Sequence, residues 1–275
     1  MIRRTRGSSI ALAVAMLLAS TVVALAKKPK LPPDHDPGGQ AIILLTTGID
    51  YTKPELAARL ARDGEGDLIG WDTIDGDNRP YVTNGEGTAQ AIALGKAPGT
   101  RIVVIRIDPG KAPSLMTGLQ FVGRMPGRVI VMPELAGDVT LRTPLFTAFG
   151  QLADHTFIVP AGPVDDLNKS LAIVLPENVL TVAPKTSPPD VTAYAYSRGQ
   201  LLVDATSPSN AVAEFLPALF ACSSAEIAQL SLLKPSLRRL TDALPKPNSK
   251  SIPTTPAACR ISVAPHQLAP IQSPE

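Results

Sequence analysis

AIILLTTGIDYTKPEL, residues 41–56, passes from a six-residue aliphatic and threonine run, through a Thr-Gly turn, into a helix start. The run is short, bounded by a glycine and free of charge, which marks a strand buried on both faces. Pro54 suits the first turn of a helix, and PELAARLAR (54–62) repeats its apolar residues at helical spacing. The alternation continues outward. RIVVIRI (101–107), RVIVM (128–132), TFIVPA (156–161), VLTVA (179–183) and LLVDA (201–205) read as strands. GTAQAIALG (87–95), SLMTGLQFVG (114–123), PLFTAFGQLA (144–153) and AVAEFLPALFA (211–221) read as helices between or after them. This pattern predicts an α/β three-layer sandwich, with a mostly parallel sheet covered by helices on both faces. In such sheets ligands sit at the C-terminal ends of the strands.

The ends of the chain are of a different character. Residues 1–26 combine Arg3, Arg4 and Arg6, an apolar run and a closing Ala-Leu-Ala. That order predicts a cleaved export signal, with a mature chain from Lys27. The alternative is an uncleaved anchor, for which the 17 residues 10–26 are at the short limit. Residues 27–40 are a Pro/Gly-rich linker, 41–244 the folded body, and 245–275 a Pro-rich, mostly irregular tail. Cys222 and Cys259 are the two cysteines, and an oxidising compartment would let them pair and tie tail to body.

Composition excludes several functions. The chain carries 26 basic and 24 acidic residues. Without residues 1–26 the balance is 23 against 24, too neutral for a nucleic-acid partner. Aromatic residues are only 4%, which argues against stacking platforms for single strands. Two cysteines and three histidines provide no zinc framework, and Asp72, Asp75 and Asp77 lack the spacing of a calcium loop. No metal or other cofactor is expected, and no membrane span after signal removal. His155, just ahead of a strand, reads as a solvated turn residue.

Seven segments carry a resemblance to a known family. TTGIDYTKPEL (46–56) is similar to the D-T-G-I-D-Y-x-H-P-E-L stretch of subtilisin-like serine peptidases, the subtilases. DGDNRPYVTNGEGTAQAIALG (75–95) resembles their D-x-D-N-x-P-x-x-x-N-G-H-G-T-H-V-A-G segment. APGTRIVVIRI (97–107), RVIVMPEL (128–135), FIVPAGP (157–163), PENVLTVAP (176–184) and AYSRGQLLVDATSPS (195–209) follow in family order. The resemblance implies a subtilisin-like doubly wound fold, a Ser-His-Asp triad, an Asn-assisted oxyanion hole and a strand that pairs with substrate.

At the positions of those groups this sequence departs. The family aspartate falls on Thr46, which cannot supply the charge that stabilises an imidazolium. The family histidine falls on Glu86, a weak base near neutral pH. The oxyanion asparagine falls on Pro163, with neither an N–H nor a side-chain amide. The serine motif is missing, and forcing the register leaves Thr206 or, one residue on, Ser207. The substrate strand ends in Met132-Pro133-Glu134-Leu135, where proline removes a ladder donor. The sedolisins, which share the fold, use Glu where subtilases use His, and an Asp four residues later. Glu86 fits the first, but Gln90 stands at the second.

The expectation is therefore an exported pseudo-peptidase, catalytically inactive, that binds an unidentified peptide or protein. The alternative is a divergent endopeptidase using Glu86 with Thr206 or Ser207, with acidic pH among the conditions to test. A decayed copy with no specific ligand is the third reading. Neither the partner nor the oligomeric state is written in the sequence.

Overall fold

The structure, a computed structural model, describes residues 28–134, 142–161, 176–185, 201–233, 235–244 and 259–263. The chain divides into two compact units, Met1–Lys30 and Leu31–Glu275, and almost all described residues belong to the second. The proposed signal, residues 1–26, lies outside the described residues.

Eight strands form one sheet: β1 (Gln40–Thr46), β2 (Gly70–Asp72), β3 (Thr100–Arg106), β4 (Val129–Val131), β5 (Thr156–Pro160), β6 (Val179–Pro184), β7 (Leu201–Val203) and β8 (Ile261–Val263). Their spatial order is β2-β3-β1-β4-β5-β6-β7-β8. All neighbouring pairs are parallel except β7 with β8. From β1 the chain winds to one side through β2 and β3, then returns to the other side with β4. The ends of β1 and β4 thus flank a topological switch point, the usual crevice for a ligand in an open α/β sheet.

The described helices are α1 (Pro54–Ala57), α2 (Glu86–Leu94), α3 (Ala112–Val122), α4 (Arg142–Gln151), α5 (Pro208–Phe220), α6 (Ser224–Leu233) and α7 (Pro235–Ala243). Strand alternation divides the core in two. Ile42, Leu44, Val104, Val131, Ile158 and Val182 face α2 and α5, where Ala91, Leu94, Val212, Phe215 and Leu216 meet them. Ile43, Leu45, Val103, Ile105, Ile130 and Phe157 face the other way, onto Leu115, Leu119 and Val122 of α3 and Leu145 and Phe149 of α4. Both faces of the sheet are therefore dry, and each fully buried aliphatic or Phe side chain is worth about 1.5–3 kcal/mol.

Three local readings change. The helix expected over 54–62 stops after Ala57, because Leu60 pairs as an isolated bridge with Ile102 and continues in extended form. The expected irregular tail contributes β8, paired antiparallel with β7. Cys222 follows the end of α5 and is disulfide-bonded to Cys259, with Cα atoms 4.4 Å apart, which holds that strand to the body. His155 is no solvated turn residue: it is only 2% exposed, with Nδ1 2.7 Å from Asp154 Oδ1 and Nε2 3.3 Å from Arg128 Nη1.

Within the proposed linker, Asp36 is docked on the body. Its carboxylate accepts the Arg62 main-chain N–H at 3.1 Å and pairs with the Arg101 guanidinium. Burial works to raise its pKa. The N–H groups of Gly38 and Arg62, together with Arg101, overcome this and hold the carboxyl below the ordinary Asp range.

Candidate functional site

The switch-point crevice is built from three segments. Thr46 is the last residue of β1 and fully buried, and its hydroxyl donates to Gln90 Oε1 at 2.8 Å. Gln90 lies on α2, 1% exposed, and its Nε2 donates to Glu134 Oε1 at 3.0 Å. Glu134 follows the end of β4 and also accepts the Thr47 hydroxyl, at a longer 3.4 Å. One amide side chain therefore joins the ends of β1 and β4.

The helix is held there by close approach. A Cβ on Gly87 would lie 2.3 Å from the Gly48 carbonyl oxygen and 2.4 Å from Thr46 Oγ1, so only glycine lets α2 start against β1. Gly48 itself has φ +115°, a conformation that L side chains rarely adopt. Thr88 fixes the next turn by accepting the Asp50 N–H at 2.8 Å. One helical turn separates Glu86 from Gln90, which puts them on one face, but only Gln90 is buried. Glu86 is exposed at the first position of α2, behind Gly85, which offers no side-chain cap.

The electrostatics follow from this packing. Burial pushes the Glu134 carboxyl above the ordinary Glu range, and the charge of Glu86 adds to the effect. The hydrogen bonds from Gln90 and Thr47 oppose it without cancelling it. Arg106, on the neighbouring strand β3, is committed elsewhere. Its Nη1 pairs with Asp72 at 2.9 Å and Asp75 at 3.0 Å, and its Nε donates to the Thr47 carbonyl at 3.2 Å. Two of the acidic residues considered for a cation are thus held by a guanidinium.

The residues singled out in sequence fare differently. Thr46 and Glu86 sit at neighbouring segments, but no hydrogen bond joins them: the partner of Thr46 is Gln90. Ser207 is the N-cap of α5, its Oγ accepting the Asn210 N–H at 3.2 Å and lying 3.1 Å from Ser209 Oγ. Thr206 Oγ1 accepts the Asn210 side-chain amide at 3.0 Å. Thr206 opens on a groove of about 430 Å³ shared with Ala89, Ala93, Lys96 and Glu214, and neither Thr46 nor Glu86 lines it. Met132 is buried and spends its N–H on the Ile158 carbonyl at 2.9 Å, and Pro133 beside it is buried with no N–H to give. Pro163 and Leu135 lie outside the described residues.

Sequence reading missed the functions of Gln90 and Glu134 within this site. Gln90 carried a usable signal, since it stands one turn beyond Glu86. Glu134 carried none, because its contact with α2 spans 44 residues of sequence. A second concavity, of about 490 Å³, lies among α5, α6 and α7 and is lined by Leu219, Phe220, Ile227, Leu232, Arg238 and Leu244 among others. It shares no residue with the switch-point site. No helix among the described residues is long and apolar enough to cross a membrane.

The described parts of the seven family-like segments fall, in order, on the end of β1 with α1, then on α2, β3, β4, β5, β6 and β7, and the fold is a three-layer α/β sandwich with a mostly parallel sheet. No family model matches the sequence, and no curated protein does. Among solved structures the chain is similar to a cold adapted subtilisin-like serine proteinase, at 17% identity and a TM-score of 0.49, over 85% of this chain and 89% of that one. Fervidolysin from Fervidobacterium pennivorans, a keratinolytic enzyme related to subtilisin, is 19% identical with a TM-score of 0.38, over 54% of this chain and 25% of its own. The PatG macrocyclase, solved in complex with peptide, is 11% identical with a TM-score of 0.43, over 82% and 89%.

Proposed function

We propose that this is an exported, non-catalytic subtilisin-like domain that binds a peptide or protein partner at the crevice between the ends of β1 and β4. The observation that carries the reading is the Thr46–Gln90–Glu134 chain. A hydroxyl and an amide stand where proton transfer would need an ionisable pair, and neither moves a proton at ordinary pH. The hydroxyls of Thr206 and Ser207 are engaged at the start of α5, with hydrogen bonds to Asn210 and none to Thr46 or Glu86. The Cys222–Cys259 bond and the composition of residues 1–26 support an oxidising destination, periplasmic or outside the cell, for a mature chain from Lys27. Residues 41–244 form its body and 245–275 its Pro-rich tail.

The test is an assay of the mature chain on casein and short chromogenic peptides from acidic to alkaline pH, with a fluorophosphonate probe alongside. The reading expects no turnover and no labelled serine, with a cooperative melt and a partner retained on the folded chain but lost on a Glu134 variant. Turnover abolished by Thr206→Ala, Ser207→Ala or Glu86→Gln would establish the divergent endopeptidase instead. Silence without a cooperative melt would mark a decayed copy.

A further inference from the structure

Of the six asparagines in the sequence, Asn84 alone is followed by glycine. It lies exposed in the turn that leads into α2. Its side-chain amide has no hydrogen-bond partner among the described residues, and the Gly85 N–H donates to none. Gly85 has no side chain to shield its nitrogen, and it is more mobile in backbone than any other residue type. Three conditions for attack of a main-chain nitrogen on a neighbouring amide therefore coincide: an exposed asparagine, an unengaged main-chain nitrogen and a following residue with no side chain.

We propose that Asn84 is a deamidation site whose product alters the entry into α2. In mild base the Gly85 nitrogen gives its proton to solvent and attacks Asn84 Cγ. A C–N bond forms, and the side-chain nitrogen leaves as ammonia. Water then opens the cyclic imide at one of its two carbonyls. One opening leaves an aspartate at position 84, the other an isoaspartate with an extra methylene in the main chain. The sum is asparagine plus water giving an acid plus ammonia, with no change of oxidation state.

The two products act differently on this fold. The aspartate puts a negative charge just ahead of a helix whose N-cap, Gly85, has no capping side chain, and the helix dipole favours that charge. The isoaspartate lengthens a segment pinned at both ends. Upstream, the Val82 N–H is bonded to the Ile49 carbonyl at 2.9 Å. Downstream, Gly87 is wedged against Gly48 and Thr46 with no room to move inward. The added methylene must displace Glu86 at the mouth of the crevice, and strain the Thr46–Gln90 contact behind it.

The experiment incubates the folded mature chain in mildly alkaline buffer, maps its peptides by mass spectrometry, and labels isoaspartate with a protein-isoaspartate methyltransferase. The expected result is amide-to-acid exchange at position 84 ahead of the other asparagines, with isoaspartate present, and loss of that exchange in Gly85→Ala. Aged protein should show a second, lower melting transition that fresh Asn84→Asp does not. The proposal is overturned if Asn84 keeps its amide while the Asn248 peptide converts. It is equally overturned if conversion at 84 needs urea, since the fold would then be holding the two groups apart. Unchanged melting of isoaspartate-containing protein would sink the claimed effect on α2.

Discussion

Thr46 faces Gln90, not Glu86: the hydroxyl at the end of β1 donates to the amide oxygen of Gln90 at 2.8 Å, one helical turn beyond the position that matches the family histidine. The same amide donates onward to Glu134. The two bonds make a fixed bridge between two strand ends and a helix.

That bridge can be measured. Thr46→Val leaves Gln90 Oε1 buried without its donor, and Gln90→Met leaves the Thr46 hydroxyl without its acceptor and Glu134 without the amide donor. Glu134 keeps the Thr47 hydroxyl in the Gln90→Met variant. Each single change should cost roughly 1–3 kcal/mol in a urea titration. The double variant should cost less than the sum, with a coupling of about 0.5–3 kcal/mol. Additive losses would mean that the two side chains do not act together.

Glu134 gives the site a pH dependence. Its folded carboxyl titrates above the unfolded one, so protonation favours the folded chain. The contribution is present in full below the unfolded pKa, about 4.3 for Glu, and is lost as pH rises through the folded value. Glu134→Gln keeps an oxygen for Gln90 and Thr47 but has no charge. It should therefore melt above the parent at neutral pH, with the gap closing on acidification. A gap that widens in acid would contradict the assignment.

Asp36 has the opposite sign. Its pKa is depressed in the fold, so the stability it contributes is present above the unfolded Asp value and lost as pH falls through the folded one. Asp36→Asn should lower the melting temperature at neutral pH and converge with the parent in strong acid. It should also hasten proteolysis within residues 31–39, since the Arg101 pair is lost. Proteolysis unchanged by the substitution would show that other contacts hold this segment.

Ser207 should behave as a cap. Ser207→Ala ought to cost about 0.5–2 kcal/mol, and Ser207→Asp should restore most of it, because a carboxylate caps α5 equally well. A nucleophile would be rescued by neither stability nor aspartate.

Reduction should be costly. Cys222 and Cys259 are 37 residues apart, and opening a loop of that length removes roughly 3–4 kcal/mol in the chain-entropy account. Cys259→Ser should reproduce the effect of a reductant on the melt, and the reductant should then have no further effect.

The sheet was legible from residues 41–46, 101–107, 128–132, 156–161 and 179–183, since a parallel strand with helices on both faces must be apolar on both sides. Three-residue β2 (Gly-Trp-Asp) and β8 (Ile-Ser-Val) carried no such signal. β2 exists because β3 offers it a partner, and β8 because β7 does. His155 was misread for a related reason: the ring is buried in the fold, and one of its two partners, Arg128, lies 27 residues away in sequence.

The residue types at the crevice were determined by the sequence alone: a threonine stands at position 46 and glutamates at 86 and 134, with no histidine or aspartate among them. Chemistry of that kind is local to a side chain, so it can be read one letter at a time. Only the tertiary structure decided that Gln90 takes the contact with Thr46, and that Glu134 is half buried near a second carboxylate. Such pairings depend on which strand ends the winding of the sheet brings together. Residues 46, 90 and 134 have no local periodicity in common, and only long-range packing sets their distances.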